Sequence, residues 1–331
     1  MNTLLGLLII AVGSFCQSSS YVPIKKVKEW SWESFWLVQG IFAWLVFPLL
    51  GALLAVPAGS SLGEILSTDP SAAFKAAGYG VLWGVGGLTF GLSMRYLGVA
   101  LGQSIALGTC AGFGTLFPAI FAGKGLILLL GVSITLAGIA VIGYAGSLRS
   151  QNMTDEEKRA AVKDFALTKG LAVALLAGVM SACFNLGLEA GRPLQVEGGS
   201  ALFRTLPATL MVTLGGFVTN AAYCLWQNAR NRTFGDYGKG SLYANNLLFC
   251  ALAGALWYSQ FFGFGIGQTF FEPGSVVAAF AWCILMALNV TFSNVWGIIL
   301  REWRGVSAKT VGVLVCGLAI LIFSLVFPNL F

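Results

Sequence analysis

Polar and aromatic side chains interrupt the long apolar stretches of this 331-residue chain, and they are the groups that could bind a small polar molecule. An amide both donates and accepts hydrogen bonds, which suits a polyol whose hydroxyls do the same. Trp83 and Trp257 lie too deep in their stretches to be interfacial rings, and the C–H face of a sugar packs well on such rings. Hydrogen bonding between helices is the alternative for each amide, and helix packing is the alternative for each ring. The predicted binding residues are Gln17, Trp83, Asn185, Trp257, Tyr258, Gln260 and Asn289.

Ionisable side chains are rare within the apolar stretches, and a charge in that environment is costly enough to indicate a function. Glu189 lies one turn after Asn185, so the two share a helix face. We predict that Glu189 is a substrate- or proton-binding carboxylate, and an interfacial carboxylate paired with Arg192 is the alternative. Arg95 ends the third stretch, either as a topological anchor or as an ion-paired gate residue.

The residue inventory excludes several classes of function. The chain has no histidine, which excludes histidine metal sites, Ser-His-Asp hydrolysis and a histidine proton relay. Its seven cysteines are scattered without a C-x-x-C pair, so we predict free thiols and no metal site. No Walker A sequence occurs, so ATP is not the energy source through this chain. We therefore predict that the protein is not an enzyme and has no cofactor.

Apolar segments of membrane-spanning length set the architecture. The composition is 57% hydrophobic and 10% charged, far from that of a soluble domain. A spanning helix needs about 20 largely apolar residues. Ten segments meet this requirement, which predicts an all-α polytopic membrane protein. The segments are 3–24, 34–57, 76–94, 97–122, 125–146, 170–190, 203–227, 244–267, 275–299 and 310–328.

The basic residues orient these segments in the membrane. Of the 19 Lys and Arg residues, all but Lys75, Lys124, Arg192 and Arg204 fall on the same side as the first loop. By the positive-inside rule that side is cytoplasmic, so both termini are predicted to lie outside the cytoplasm. Topology and anionic lipid headgroups explain the net charge of +6, and no nucleic acid partner is predicted.

The longest polar interruption divides the chain into two halves. We predict a first five-helix repeat over residues 1–147, a cytoplasmic linker over 148–169 and a second five-helix repeat over 170–331. Thr154 and Glu157 fit a capping box, which predicts a short amphipathic helix within the linker. Because five is odd, the second half enters the membrane in the opposite sense, as in an inverted-topology repeat. Such repeats place a substrate site near the bilayer midplane and alternate access by rocking.

Several segments resemble the motifs of one transporter family. Residues 21–33 are similar to the first-loop signature of L-rhamnose–proton symporters, and residues 82–87 with 91–98 resemble their third-span motif. Further matches lie at residues 114–118, 254–262 and 300–303. The resemblance therefore covers nearly the whole chain. It implies the ten-helix fold of the drug/metabolite transporter superfamily, with two inverted five-helix repeats.

The resemblance also implies a function. It implies import of L-rhamnose or a closely related deoxy sugar by proton symport with alternating access, in the bacterial inner membrane. Glu189 departs from the family pattern, which has an amide there, so Na⁺ coupling and a different sugar remain alternatives, as does an exporter of amino acids or metabolites. The expected partners are the sugar, the coupling ion and membrane lipids, with the multi-pass protein as a monomer or homodimer. The predicted site residues that match family motifs are Trp83, Arg95, Trp257, Tyr258 and Gln260.

Overall fold

The described part of the chain, a computed structural model, is predominantly helical. The described residues are 2–97, 99–121, 125–151, 167–194, 200–238, 240–299, 303 and 306–327, and no strand occurs among them. The helices are α1 (Thr3–Ser19), α2 (Tyr21–Ile24), α3 (Trp32–Gly40), α4 (Phe47–Leu53), α5 (Leu62–Thr68), α6 (Pro70–Leu97), α7 (Val99–Phe121), α8 (Gly125–Gln151), α9 (Leu167–Ala190), α10 (Leu206–Asn231), α11 (Gly240–Gln268), α12 (Val276–Ile299) and α13 (Ala308–Val326). The predicted amphipathic helix that begins at Thr154 lies outside the described residues.

Eight of the described helical segments are long and apolar enough to cross a membrane. This confirms a polytopic α-helical membrane protein. The other two predicted spans fall on α6 and α7, which have 28 and 23 residues. Within α7, Ile105–Phe117 is a shorter apolar helix. The eight segments are Thr3–Ile24, Trp32–Leu53, Leu126–Arg149, Thr168–Ala190, Leu206–Asn231, Gly240–Gln268, Val276–Ile299 and Ala308–Val326.

The region before the third span is more helical than the sequence-based prediction of 76–94. Helix α6 begins at Pro70, where proline is favoured, and Oδ1 of Asp69 accepts the N–H of Ala72 at 2.9 Å. The short helix α5 precedes it and begins with a capping box between Ser61 and Glu64. The Ser-x-x-Glu spacing of this capping box is readable in the sequence, but only the apolar part of the region was predicted as helix.

The second span contains a π-helical turn, Ile41–Val46, between α3 and α4. Its hydrogen-bond pattern is that of a π-helix, since the N–H of Phe47 donates to the carbonyl of Phe42, five residues back. Pro48 accounts for the turn, because proline has no N–H and its ring would meet the carbonyl of Trp44 in a regular α-helix. Such turns occur frequently at functional sites.

The described chain forms two compact units. Unit 1 comprises Met1–Gly84 and Phe184–Phe270, and unit 2 comprises Val85–Cys183 and Phe271–Phe331. Each unit therefore combines residues from both halves of the sequence. The predicted five-helix repeats are defined by the order and direction of the membrane crossings, whereas the two units are defined by contacts. The division into repeats therefore remains a prediction.

Close approaches between helices hold unit 1 together. Helix α1 packs antiparallel on α11, where a Cβ at Gly13 would lie 2.6 Å from the carbonyl oxygen of Ser259. Helices α6 and α10 also approach closely, since a Cβ at Gly80 would fall on the backbone of Val212. Small residues permit such contacts in a membrane, where lipid gives helices no hydrophobic reason to associate.

Unit 2 has an apolar core formed by α8, α12 and α13. Ile142 packs over Gly317, where a Cβ would lie 2.7 Å from Cγ1 of Ile142. Trp282 covers Gly114 and directs its Nε1 toward the carbonyl of Cys110 at 3.4 Å. The buried members of this core are Ile139, Ile142, Ala145, Ala287, Val290, Leu314 and Leu321.

Candidate substrate-binding site

Two of the predicted residues, Trp83 and Trp257, lie together in a buried cluster of aromatic rings in unit 1. Their ring centroids are 5.7 Å apart and the ring planes meet at 36°. Trp44 stands edge-on to both, at 5.9 Å from Trp83 and 5.8 Å from Trp257. Phe184 contacts Trp83 at 5.0 Å and stacks on Phe261 at 3.8 Å. We call these five rings, Trp44, Trp83, Phe184, Trp257 and Phe261, the ring cluster.

Two glycines, one on a neighbouring helix and one in the same span as Trp44, allow rings of the cluster to lie against backbone. A Cβ at Gly216 of α10 would fall on the ring of Trp83. The ring of Trp44 folds back over Gly40, where a Cβ would lie 2.6 Å from Cζ3 of the indole. Any side chain at either glycine would therefore displace a ring of the cluster.

Two predicted amides lie beside the ring cluster along their helices. Gln260 lies on α11 between Trp257 and Phe261, is 4% exposed, and donates from Nε2 to the carbonyl of Trp257 at 3.2 Å. Asn185 directly follows Phe184 on α9 and is 9% exposed. Unit 1 thus brings buried aromatic faces and amide groups into one region, which is the composition of a pocket for a small polar ligand.

The other predicted residues take different positions. Gln17 is half-buried on α1, one turn beyond Gly13, and its Oε1 accepts from the hydroxyl of Ser18 at 3.3 Å. Tyr258 points away from Trp257, because its hydroxyl lies against Gly51 of α4. Asn289 is buried on α12 and belongs to unit 2. Their binding roles remain predictions.

Of the two charged residues predicted for the site, the structure describes the side chain of Glu189 but not that of Arg95. Glu189 forms an ion pair with Arg192, with 2.7 Å between Oε2 and Nε and 2.9 Å between Oε1 and Nη2. The two side chains are 38% and 66% exposed. This is the pairing that the alternative interpretation of Glu189 anticipated. Arg95 lies on α6, but its side chain is outside the described residues.

Sequence analysis missed part of the aromatic system. Trp44 was not singled out, and Trp36 has the position of an interfacial ring near the start of its span. In the structure Trp36 packs edge-on to Trp44 at 5.7 Å and donates from Nε1 to Oδ1 of Asn220 at 3.1 Å. Asn220 in turn donates to the carbonyl of Gly216 at 2.9 Å, beside Trp83. The spacing of tryptophans along the second span was the available signal.

A cluster of polar side chains in unit 1 joins the first loop to the segment between α10 and α11 by hydrogen bonds. Asp236 is 8% exposed, and its Oδ2 accepts the N–H of Ser31 at 2.8 Å and the hydroxyl of Ser34 at 2.9 Å. Glu33 is 6% exposed and accepts from Asn231 and Thr233, both at 2.9 Å. We call these residues, with Asn228, Tyr237 and Asn246, the loop network.

The remaining members of the loop network complete its hydrogen bonds. Asn228 donates to Ser34 at 2.9 Å and accepts from the hydroxyl of Tyr237 at 3.1 Å. Burial raises the pKa of Tyr237, so its hydroxyl keeps the proton that it donates. Asn246 exchanges two hydrogen bonds with the backbone of Lys28, at 2.8 and 3.0 Å. A buried polar group whose bonds are satisfied in this way holds its loop rigidly.

Comparison with known proteins indicates the same family as the sequence motifs do. Residues 1–329 match the family of the L-rhamnose-proton symport protein (RhaT). A relative named L-rhamnose-proton symporter from Yersinia pestis (strain Pestoides F) is 31% identical over 344 aligned residues, covering 97% of this chain and 96% of the relative. A relative of the same name from Yersinia pseudotuberculosis serotype O:1b (strain IP 31758) has the same identity and coverage. The chain belongs to the L-rhamnose-proton symport protein family, and it is accordingly a transporter rather than an enzyme.

Proposed function

We propose that this protein imports L-rhamnose or a closely related deoxy sugar by proton symport. The names of the relatives support proton-coupled sugar symport. The observation that carries the proposal is the ring cluster, in which the indoles of Trp83 and Trp257 lie beside the buried amide of Gln260. Aromatic faces take up the C–H surface and the methyl group of a deoxy sugar, while amides meet its hydroxyls.

The proposed transport cycle uses this site from both sides of the membrane. Sugar and proton load from outside, the rings close over the sugar, and the repeats rock to open the site inward. The full proposal includes ten spans arranged as two inverted repeats, outside termini and a location in the bacterial inner membrane. A monomer completes this cycle without a partner chain, and a homodimer is compatible with it.

Glu189 is the proposed coupling residue. Protonation of its carboxylate would break the ion pair with Arg192, which links proton binding to a change in a local contact. H⁺ is the proposed coupling ion, because the relatives are named proton symporters. Na⁺ is the alternative, and uptake into liposomes under a gradient of each ion separates the two.

Uptake of labelled L-rhamnose by purified protein in liposomes tests the proposal. We expect accumulation above the external concentration with an inward proton gradient, and its collapse when an uncoupler is added. Accumulation that requires an inward Na⁺ gradient instead would reassign the ion. If folded protein accumulates L-rhamnose with neither gradient, L-rhamnose is not the substrate, and a panel of other deoxy sugars becomes the next measurement. Accumulation of none of them would show that the proposed function is wrong.

A further inference from the structure

Trp44 combines deep burial with an unused hydrogen-bond donor. Its indole is 4% exposed and contacts Trp36, Trp83 and Trp257 at 5.7 to 5.9 Å between centroids. Its Nε1 is buried and has no hydrogen-bond partner among the residues that the structure describes. An unpaired buried donor destabilises a folded protein unless a ligand supplies its acceptor, and the donor of Trp44 belongs to a ring that contacts both Trp83 and Trp257.

The backbone around Trp44 is specialised to hold the indole in this position. Trp44 lies within the π-helical turn Ile41–Val46, whose extra residue changes the direction of the side chains that follow. The indole then folds back over Gly40, where a Cβ would lie 2.6 Å from Cζ3 and 2.7 Å from Cε3. The position of the ring therefore depends on two local features, the π turn and a glycine four residues earlier.

An unused acceptor lies in the same span. Gln39 is 2% exposed, and its Oε1 is buried without a partner. The second span thus carries one unpaired donor and one unpaired acceptor within six residues of sequence. A hydroxyl group donates and accepts at once, so a polyol satisfies both kinds of group, whereas an apolar ligand satisfies neither.

We propose that Trp44 is a sugar-binding residue whose Nε1–H donates to one hydroxyl of the substrate. Trp83 and Trp257, tilted at 36° to each other, then contact the apolar face of the same sugar. The inference rests on the proposed function and adds to it a residue that selects among sugars by the position of one hydroxyl. If the sugar lacks this hydroxyl, Nε1 of Trp44 stays buried and unpaired when the sugar binds. Polar sites reject analogues that lack a hydroxyl in this way.

Binding of L-rhamnose to the purified full-length protein, measured by isothermal titration calorimetry, tests the inference. Trp44→Phe keeps an aromatic ring and removes the N–H, and we expect the Kd to rise about tenfold. Trp30→Phe is the matched control, because Nε1 of Trp30 is also buried without a partner but its ring contacts Tyr237 and Tyr243 outside the ring cluster. We expect the control to bind like the unaltered protein.

Deoxy analogues of L-rhamnose, each lacking one hydroxyl, locate the partner of Nε1. For one analogue, the loss of affinity seen with the unaltered protein should disappear in Trp44→Phe, because donor and acceptor are then both absent. Gly40→Ala provides a second variant that displaces the indole without changing it, and Gly78→Ala is its control, since a Cβ at Gly78 meets nothing within 4 Å. We expect weaker binding only in Gly40→Ala.

The outcomes separate this inference from the proposed function. Unaltered protein that binds and accumulates no deoxy sugar would overturn both. The role of Trp44 would be overturned, and the function left intact, by two results together. The unaltered protein and Trp44→Phe would bind L-rhamnose equally tightly, and each analogue would lose the same affinity in both.

Discussion

Glu189 and Arg192 form an ion pair at the end of α9, and its exposure determines what it can contribute. Pairs with this degree of solvent access stabilise proteins by about 0 to 1 kcal/mol. Stability is therefore a weak reason for the pair, and the carboxylate is accessible to protons from solvent. The ring cluster, by contrast, is buried and uncharged. The residues proposed for binding and the residue proposed for coupling are therefore different residues of unit 1.

Replacing Glu189 with glutamine should separate coupling from binding. We expect Glu189→Gln to lose accumulation driven by a proton gradient, because the side chain can no longer take up a proton, while exchange of sugar at equal concentrations continues. Counterflow and gradient-driven uptake of labelled L-rhamnose in liposomes measure the two properties. Glu64→Gln is the control, because glutamine also supports the capping box at α5. Accumulation that survives in Glu189→Gln would remove this residue from the coupling mechanism.

The elements of unit 1 are fixed at one end by the loop network. Buried Asp236 and Glu33 bind the first loop and the start of α3 to the segment after α10, so these helices end in a rigid connection. Residues 21–33 also carry one of the motifs in which the sequence resembles its family. The structure gives that signature a physical basis, because Ser31 and Glu33 take part in the network directly.

Removing the charge of Asp236 should loosen the first loop. Asp236→Asn replaces a carboxylate that accepts from Ser31 and Ser34 with an amide, and we expect a loss of about 1–3 kcal/mol in the free energy of unfolding. Trypsin should then cleave faster after Lys28, measured on inverted membrane vesicles.

A matched control for Asp236→Asn is available in another loop. In Asp69→Asn the charge is lost, but asparagine still caps α6, so we expect unchanged cleavage and stability. Equal cleavage rates in Asp236→Asn and the unaltered protein would show that the loop network does not hold the first loop.

For the molecule as a whole, the distribution of charge predicts an orientation in the membrane. Of the 19 Lys and Arg residues, four fall on the predicted outer side. The eight described spanning segments together with α6 and α7 would bring the chain back to its starting side after ten crossings. The proposed import would then run from the side of the two termini to the side of the linker.

Reporter fusions test the orientation. Alkaline phosphatase, which is active only outside the cytoplasm, should be active when fused after Phe331, and green fluorescent protein fused there should be dark. The opposite pattern is expected for chains truncated after Gln151, where the linker is predicted to be cytoplasmic. A fluorescent fusion after Phe331 would reverse the assigned orientation or change the number of spans.

Sequence alone predicted most of the helical segments and two rings of the candidate site, and the misses have physical reasons. Trp83 and Trp257 were found because a tryptophan in the middle of a span has no interfacial role. Tyr258 was grouped with Trp257 because the rotation of a uniformly apolar helix about its axis cannot be obtained from periodicity. Trp44 was missed because its position depends on a backbone turn that departs from the α-helical period.

The π turn in the second span also has a consequence for evolution. A π turn is an α-helix with one inserted residue, so deleting one residue from Ile41–Val46 would remove the insertion and leave only a kink at Pro48. The segment on one side would then rotate by about 100° relative to the other, and the indole of Trp44 would leave the ring cluster. In an alignment of relatives, a one-residue gap at this point would therefore mark lineages that have changed their sugar, even where every tryptophan is retained.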